Sequence, residues 1–289
     1  MGRLNLSEQM ETRLITFAGS SLAVAYSGAR PARIVDFLYR HAPAGGDIPP
    51  HLTYRLTPGD EPDRLLLYQD DALIYEGDSE AALAELLLGN TCYHLADQSR
   101  GGLLFHAGGL AWKGKGLLLP GGVATGKTTL TAWLVAKGLD YLTDELVFVP
   151  QGSDAIQTFT RPLNLKSPSR AVLQNQFDFD RHAAHILSSP HADLIPPTLL
   201  NPANTLDEPP LGLVIFPRYR AGSDFVLQPL SKAQAGLELM RCLVNARNLP
   251  DHGFAEITRL AKIAPAYKMS YADFDQVGGH VETLLRSLS

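Results

Sequence analysis

The chain has 289 residues, 45% of them hydrophobic and 19% charged, with a formal net charge of −5. That apolar content is enough for one large core or two moderate ones and excludes a disordered chain. Mild acidity without a Lys/Arg block of five or more argues against a nucleic-acid partner; the two distant cysteines, Cys92 and Cys242, lack metal-site or paired-cysteine spacing and fit a reducing, cytoplasmic setting.

In chain order, LITFAGSSLAVAYSGA (14–29) comes first, apolar enough to imitate a signal peptide. Glu8 and Glu11 precede it, Gly19-Ser20-Ser21 interrupts it, and Leu22, Val24 and Tyr26 alternate, which predicts a strand near 14–26 instead. No run reaches the eighteen or so apolar residues of a membrane span. Leu6 stands where an N-terminal acylation motif needs Ser or Thr. A helix near 31–41 follows, then a Pro/Gly-rich loop at 42–51 and strands near 52–57 and 64–75. The next helix, about 79–97, starts at Asp78-Ser79-Glu80 and repeats Ala82, Leu83, Leu86 and Leu87 at helical spacing. These elements predict a small α+β region over 1–100, bounded at Ser99-Arg100-Gly101-Gly102.

From Leu103 the texture changes to short apolar runs bounded by glycine, as expected of strands buried on both faces. The order is strand 103–112, turn KGKG, strand 116–120, a glycine loop, helix 127–137 stopped by Gly138, and strand 141–149. Residues 151–210, rich in Pro, Asn, Ser and His, carry few periodic stretches. Beyond them stand a strand at 211–217, a helix at 231–246 and a C-terminal helix near 271–287. The second region, 101–289, therefore reads as an α/β domain.

Gly121-Gly122-Val123-Ala124-Thr125-Gly126-Lys127-Thr128 fits G-x-x-x-x-G-K-[ST] between a predicted strand and a predicted helix, with Thr129 next in line. Glycines let a polyphosphate approach backbone N–H groups, the helix presents its positive end, and lysine neutralises the outer phosphates. The Thr128 hydroxyl is the candidate ligand for Mg²⁺ beside them. Asp144 and Glu145, sixteen and seventeen residues after Thr128, fall on or entering the following strand. One acid there can hold the metal while the other takes a proton from an attacking hydroxyl; the plainer reading is a solvated pair opening a strand. His106 lies in an apolar strand, where a lone histidine is ordinarily a satisfied core residue. Arg218 and Arg220 after the 211–217 strand are candidates for stabilising a transferring phosphoryl group, or a solvated hairpin turn. Arg161 and Lys166 are candidates for nucleotide or acceptor contacts, or ordinary residues of a polar loop.

FHAGGLAWKGKGLLLPGGVATGKTTLTAWLVAKGLDYLTDELVFV (105–149) resembles the catalytic core of the HPr kinase/phosphorylase family, and more closely its HPr-kinase-related branch; 213–240 resembles a second, weaker shared segment. The resemblance implies a P-loop, phosphoenolpyruvate-carboxykinase-like mixed sheet. It also implies Asp144 as catalytic base, Glu145 as the second acid near the metal, His106 close to the reacting centre, and Lys127 with Thr128 on the nucleotide. Glu145 stands where the family's second acid is usually Asp, Val123-Ala124-Thr125 stand where its loop commonly carries Ser, and the Gly/Arg-rich signature beyond the acid pair has no counterpart. The expected activity is a kinase using ATP and Mg²⁺ to phosphorylate a hydroxyl, foremost a serine, in a protein, a peptide or a free amino acid. Membrane and nucleic acid are not expected partners, and the resemblance makes a homo-oligomer reasonable. Two alternatives stay open: an ATP-sensing module that recruits a peptide or protein partner without transfer, and a simple ATPase.

Overall fold

The computed structural model describes residues 10–43, 45–61, 63–122, 125–205 and 208–287. Val123 and Ala124 of the glycine loop lie outside the described residues. The first stretch is a hairpin rather than one strand: β1 (Glu11–Phe17) and β2 (Ser20–Tyr26) pair antiparallel, with Phe17 opposite Ser20. Ala18 and Gly19 turn it at φ 52° and 74°, the two left-handed residues that a tight hairpin matching strand twist needs. Helix α1 (Ala29–Tyr39) crosses to β3 (Thr53–Pro58), which runs parallel to β2. The predicted strand at 64–75 is likewise a hairpin, β4 (Leu65–Gln69) and β5 (Ala72–Gly77), turned at Asp70 with φ 49°. These five strands form one sheet in the order β1-β2-β3-β4-β5. Helix α2 (Glu80–Asp97) begins where Ser79 accepts a hydrogen bond from the Ala82 N–H at 3.2 Å.

A mixed eight-stranded sheet follows. β6 (Gly102–Trp112) and β7 (Lys115–Pro120) form an antiparallel hairpin, and the glycine loop leads from β7 into α3 (Lys127–Ala136). The strand predicted at 141–149 is broken into β8 (Asp140–Thr143) and β9 (Leu146–Pro150), both antiparallel to β6, and the break is Asp144-Glu145. β10 (Gln157–Thr158) extends the edge beyond β9. The segment that showed little periodicity holds β11 (Leu163–Lys166), α4 (Arg170–Leu173), β12 (Leu187–Ser188), β13 (Ala192–Ile195) and α5 (Pro197–Leu200); its strands make a small antiparallel sheet, β11-β13-β12.

β14 (Leu211–Tyr219) returns to the large sheet parallel to β7 and is followed by β15 (Val226–Pro229) and α6 (Lys232–Cys242), which ends four residues before the expected helix does. Helix α7 (Phe254–Ile263) and β16 (Ala266–Tyr271) were not read from the sequence, and α8 (Phe274–Arg286) closes the fold. The strand order is β10-β9-β6-β7-β14-β16-β15, with β8 also on β6.

Alternation along these strands sorts their side chains. Phe105, Ala107, Leu118, Val147, Val214 and Phe216 pack on α6 and α7 through Ala235, Leu239, Ile257 and Leu260. Leu110, Leu117, Leu119, Leu213 and Ile215 point the other way, toward α3 and α8. The core of the first sheet runs past residue 100 to Leu104, Leu146, Phe148, Phe159 and Leu194.

Candidate active site

Strand register brings the glycine loop and the acid pair together. Ala107 of β6 faces Pro120, the residue before the loop, on one side. On its other side the Ala107 N–H donates to the Glu145 carbonyl at 3.0 Å. Loop and acids are thus separated by one strand, about 10 Å across at ordinary strand spacing. His106, one residue earlier on β6, points to the α3 side with Leu104 and Leu110, and its carbonyl accepts from the Gly121 N–H at 3.5 Å. A cavity of about 1140 Å³ opens there. Thr125, Gly126, Lys127, Thr128 and Thr129 line it together with His106, Glu145, Arg161, Asn164 and Lys166, and Gly89, Cys92, Tyr93, Ala96 and Asp97 of α2 form part of its wall.

The loop is built for close backbone approach. Gly126 sits at φ 90°, and a Cβ there would lie 3.0 Å from the Tyr271 hydroxyl, so only glycine fits without strain. A Cβ on Gly121 would meet the Thr125 hydroxyl at 2.7 Å. Among the described residues no side chain caps the N-terminus of α3, and no acid stands in its first turn. Its free N–H groups and helix dipole therefore face the cavity. Lys127 is buried, and its ammonium donates to the Gly122 carbonyl at 2.8 Å. Among the described residues it has no carboxylate partner within salt-bridge distance. Burial pushes its pKa down, with Glu145 and Asp144 working in the opposite sense.

The two acids divide sharply. The Asp144 side chain has no exposed surface; Oδ1 takes the Arg161 Nε–H at 3.0 Å, lies 3.1 Å from the Tyr141 hydroxyl, and Oδ2 takes the Asn164 N–H at 3.4 Å. It does not line the cavity and its carboxylate lies behind Arg161, whereas a base must reach the hydroxyl it deprotonates. Glu145 is 32% exposed, holds the second arm of Arg161 at 3.1 Å, and lies 3.3 Å from His106 Nε2. Burial depresses the His106 pKa, partly offset by Glu145, and keeps the imidazole neutral near pH 7. In Arg161, burial opposes the charge, but Asp144, Cys92 and Glu145 raise its pKa and hold it cationic.

Arg218 lies apart from this group. It follows Val214 and Phe216 in alternation onto the α6/α7 side of the sheet, is exposed, and is absent from the cavity lining; Arg220 is exposed beyond the strand end. The residue of that segment facing the cavity is Tyr219. With Phe274, Val244, Ala246, Arg247 and the α2 residues, it went unread because strand parity says nothing until the helix on each face is known. Arg161 and Lys166, weaker candidates in sequence, both line the cavity.

No protein-family model matches the chain, and no curated protein does. Among solved structures, it is similar to the Hpr(Ser) kinase/phosphatase from Coxiella burnetii, with a TM-score of 0.31 and 12% identity over 64% of this chain and 94% of that one. At that level of likeness, a functional reading must stand on the cavity's own residues.

Proposed function

We propose that the chain is a kinase that transfers the γ-phosphoryl group of ATP to a hydroxyl. The observation carrying this reading is Lys127: a buried ammonium at an uncapped helix N-terminus, lacking an anionic side-chain partner among the described residues. Burying an unpaired charge is costly, and a phosphate chain would supply both the missing anion and acceptors for the free N–H groups of α3.

Gly121, Gly122, Thr125 and Gly126 give the phosphates room, and Lys127 with the backbone of Thr128 and Thr129 binds them. Magnesium prefers oxygen donors and is commonly held by one or two carboxylates with phosphates, a demand that Thr128 and Glu145, both lining the cavity, suit. When bound, the ion neutralises charge on the phosphate oxygens. His106 receives the acceptor's proton, since it is neutral at working pH, and Glu145 beside it stabilises the imidazolium that forms. Asp144 serves as a positioning residue, fixing Arg161, which in turn holds Glu145. The β6–β7 hairpin feeding the loop within a mixed sheet supports a phosphoenolpyruvate-carboxykinase-like arrangement. The acceptor implied by the sequence resemblance is a serine, in a protein, peptide or free amino acid.

The test is transfer from γ-labelled ATP to serine, serine peptides and other alcohols by parent, Lys127→Ala and His106→Ala proteins. Lys127→Ala should lose ATP binding. His106→Ala should bind ATP but not transfer. Label transfer by the His106 variant at the parental rate would remove the histidine from this role, and ATP binding without transfer to any alcohol would favour the sensing module.

A further inference from the structure

The large sheet lays the cavity out along one line: Glu145 and His106 on the β9–β6 side, the glycine loop after β7, then β14 and β16. A triphosphate whose terminal phosphorus faces His106 and Glu145 leads its other end toward β14 and β16. There the cavity is lined by Tyr219, the last residue of β14, and Phe274, the first of α8. Their rings stack with centroids 6.1 Å apart and planes 29° from parallel. Tyr271 backs both edge-on, at 5.7 Å and 5.2 Å. Tyr219 is 43% exposed, yet its N–H donates to the Thr125 carbonyl at 3.1 Å, tying this half-open ring to the phosphate loop. Gly126 makes the close approach possible, since a Cβ there would stand 3.1 Å from Tyr219 Cβ.

We propose that Tyr219 and Phe274 form a stacking platform for the aromatic base of a nucleoside triphosphate, an inference that rests on the phosphate reading above. A base has two π-faces and stacks readily on an aromatic ring that is already held in place. Tyr271 behind the pair and the backbone bond to Thr125 provide that restraint, so little side-chain freedom is lost on binding.

The experiment measures binding of ATP and of inorganic tripolyphosphate, which has no base, to the parent, Tyr219→Ala, Tyr219→Phe and Lys127→Ala proteins by calorimetry. Tyr219 is exposed enough for both of its substitutions to fold, which a thermal melt checks. Tyr219→Ala should weaken ATP by about tenfold or more and leave tripolyphosphate within about twofold, while Tyr219→Phe keeps ATP near the parental value. Lys127→Ala should weaken both ligands. Unchanged ATP affinity in Tyr219→Ala, or equal losses for the two ligands, overturns the platform while leaving the phosphate site standing. Failure of the parent to bind either ligand overturns the phosphate reading and the platform with it.

Discussion

The two faces of the eight-stranded sheet draw on the same strands for different purposes. Toward α6 and α7, side chains such as Phe105, Leu118, Val214 and Phe216 close an apolar core with Leu239, Ile257 and Leu260. Toward α3 the core is equally apolar through Leu117, Leu119 and Leu213, but at the level of the glycine loop it gives way to a cavity. Three of the four buried charged side chains among the described residues, Lys127, Asp144 and Arg161, gather there; the fourth, Asp193, pairs with Arg170. Burial of charge costs stability, so its concentration on one face separates an apolar packing surface from the one that carries the cavity.

The strongest way to break this contrast is His106→Ala, which should lower the transfer rate by about 10²–10⁴-fold with little change in ATP affinity. On the same face, Arg161→Met leaves Asp144 buried without its partner and should cost about 3–5 kcal/mol in denaturant unfolding. The opposite face should behave differently: Leu260→Ala should cost about 2–5 kcal/mol of stability by opening a cavity, with ATP affinity of the folded protein unchanged. Equal loss of ATP binding in the Leu260 variant would erase the division of labour.

Acidity sharpens the comparison. Burial holds the folded His106 pKa below its ordinary 6.5, so as pH falls beneath that value the unfolded imidazole takes a proton before the folded one does. Stability from this group is therefore complete above pH 6.5 and declines as pH drops toward the folded pKa. Transfer should fall on an acid limb that also lies below 6.5. Because Glu145 raises the His106 pKa, Glu145→Gln should move the imidazole titration, followed by NMR, to still lower pH. The smallest effect belongs to Arg218→Ala on the cavity-free face: within about 0.5 kcal/mol in stability, and unchanged transfer.

Much of the large sheet was legible because glycine and proline punctuate it. The run from β6 through β7 and the loop to α3 follows from apolar stretches cut by Lys113-Gly114, Pro120 and Gly126. Two hairpins read as single strands because each turn is only two residues long, Ala18-Gly19 and Asp70-Asp71, and the apolar runs on either side sit close together in the chain. β16, with Lys268 amid its apolar residues, is a short segment whose strand character comes from pairing to β14 and β15. In the site, the loop, Glu145 and His106 were recognisable as chemistry, whereas the burial of Asp144 and the turning away of Arg218 were not.

By itself, the sequence determined the glycine loop and the lysine that follows it, because that chemistry depends on spacing within one turn between a strand and a helix. Only the tertiary structure decided which neighbouring carboxylate reaches the cavity. Asp144 and Glu145 are adjacent in the chain, but Arg161, Tyr141 and the Asn164 N–H seal one while the break opposite Ala107 leaves the other open. Access to solvent is a property of packing between distant segments, and no local pattern of residues encodes it.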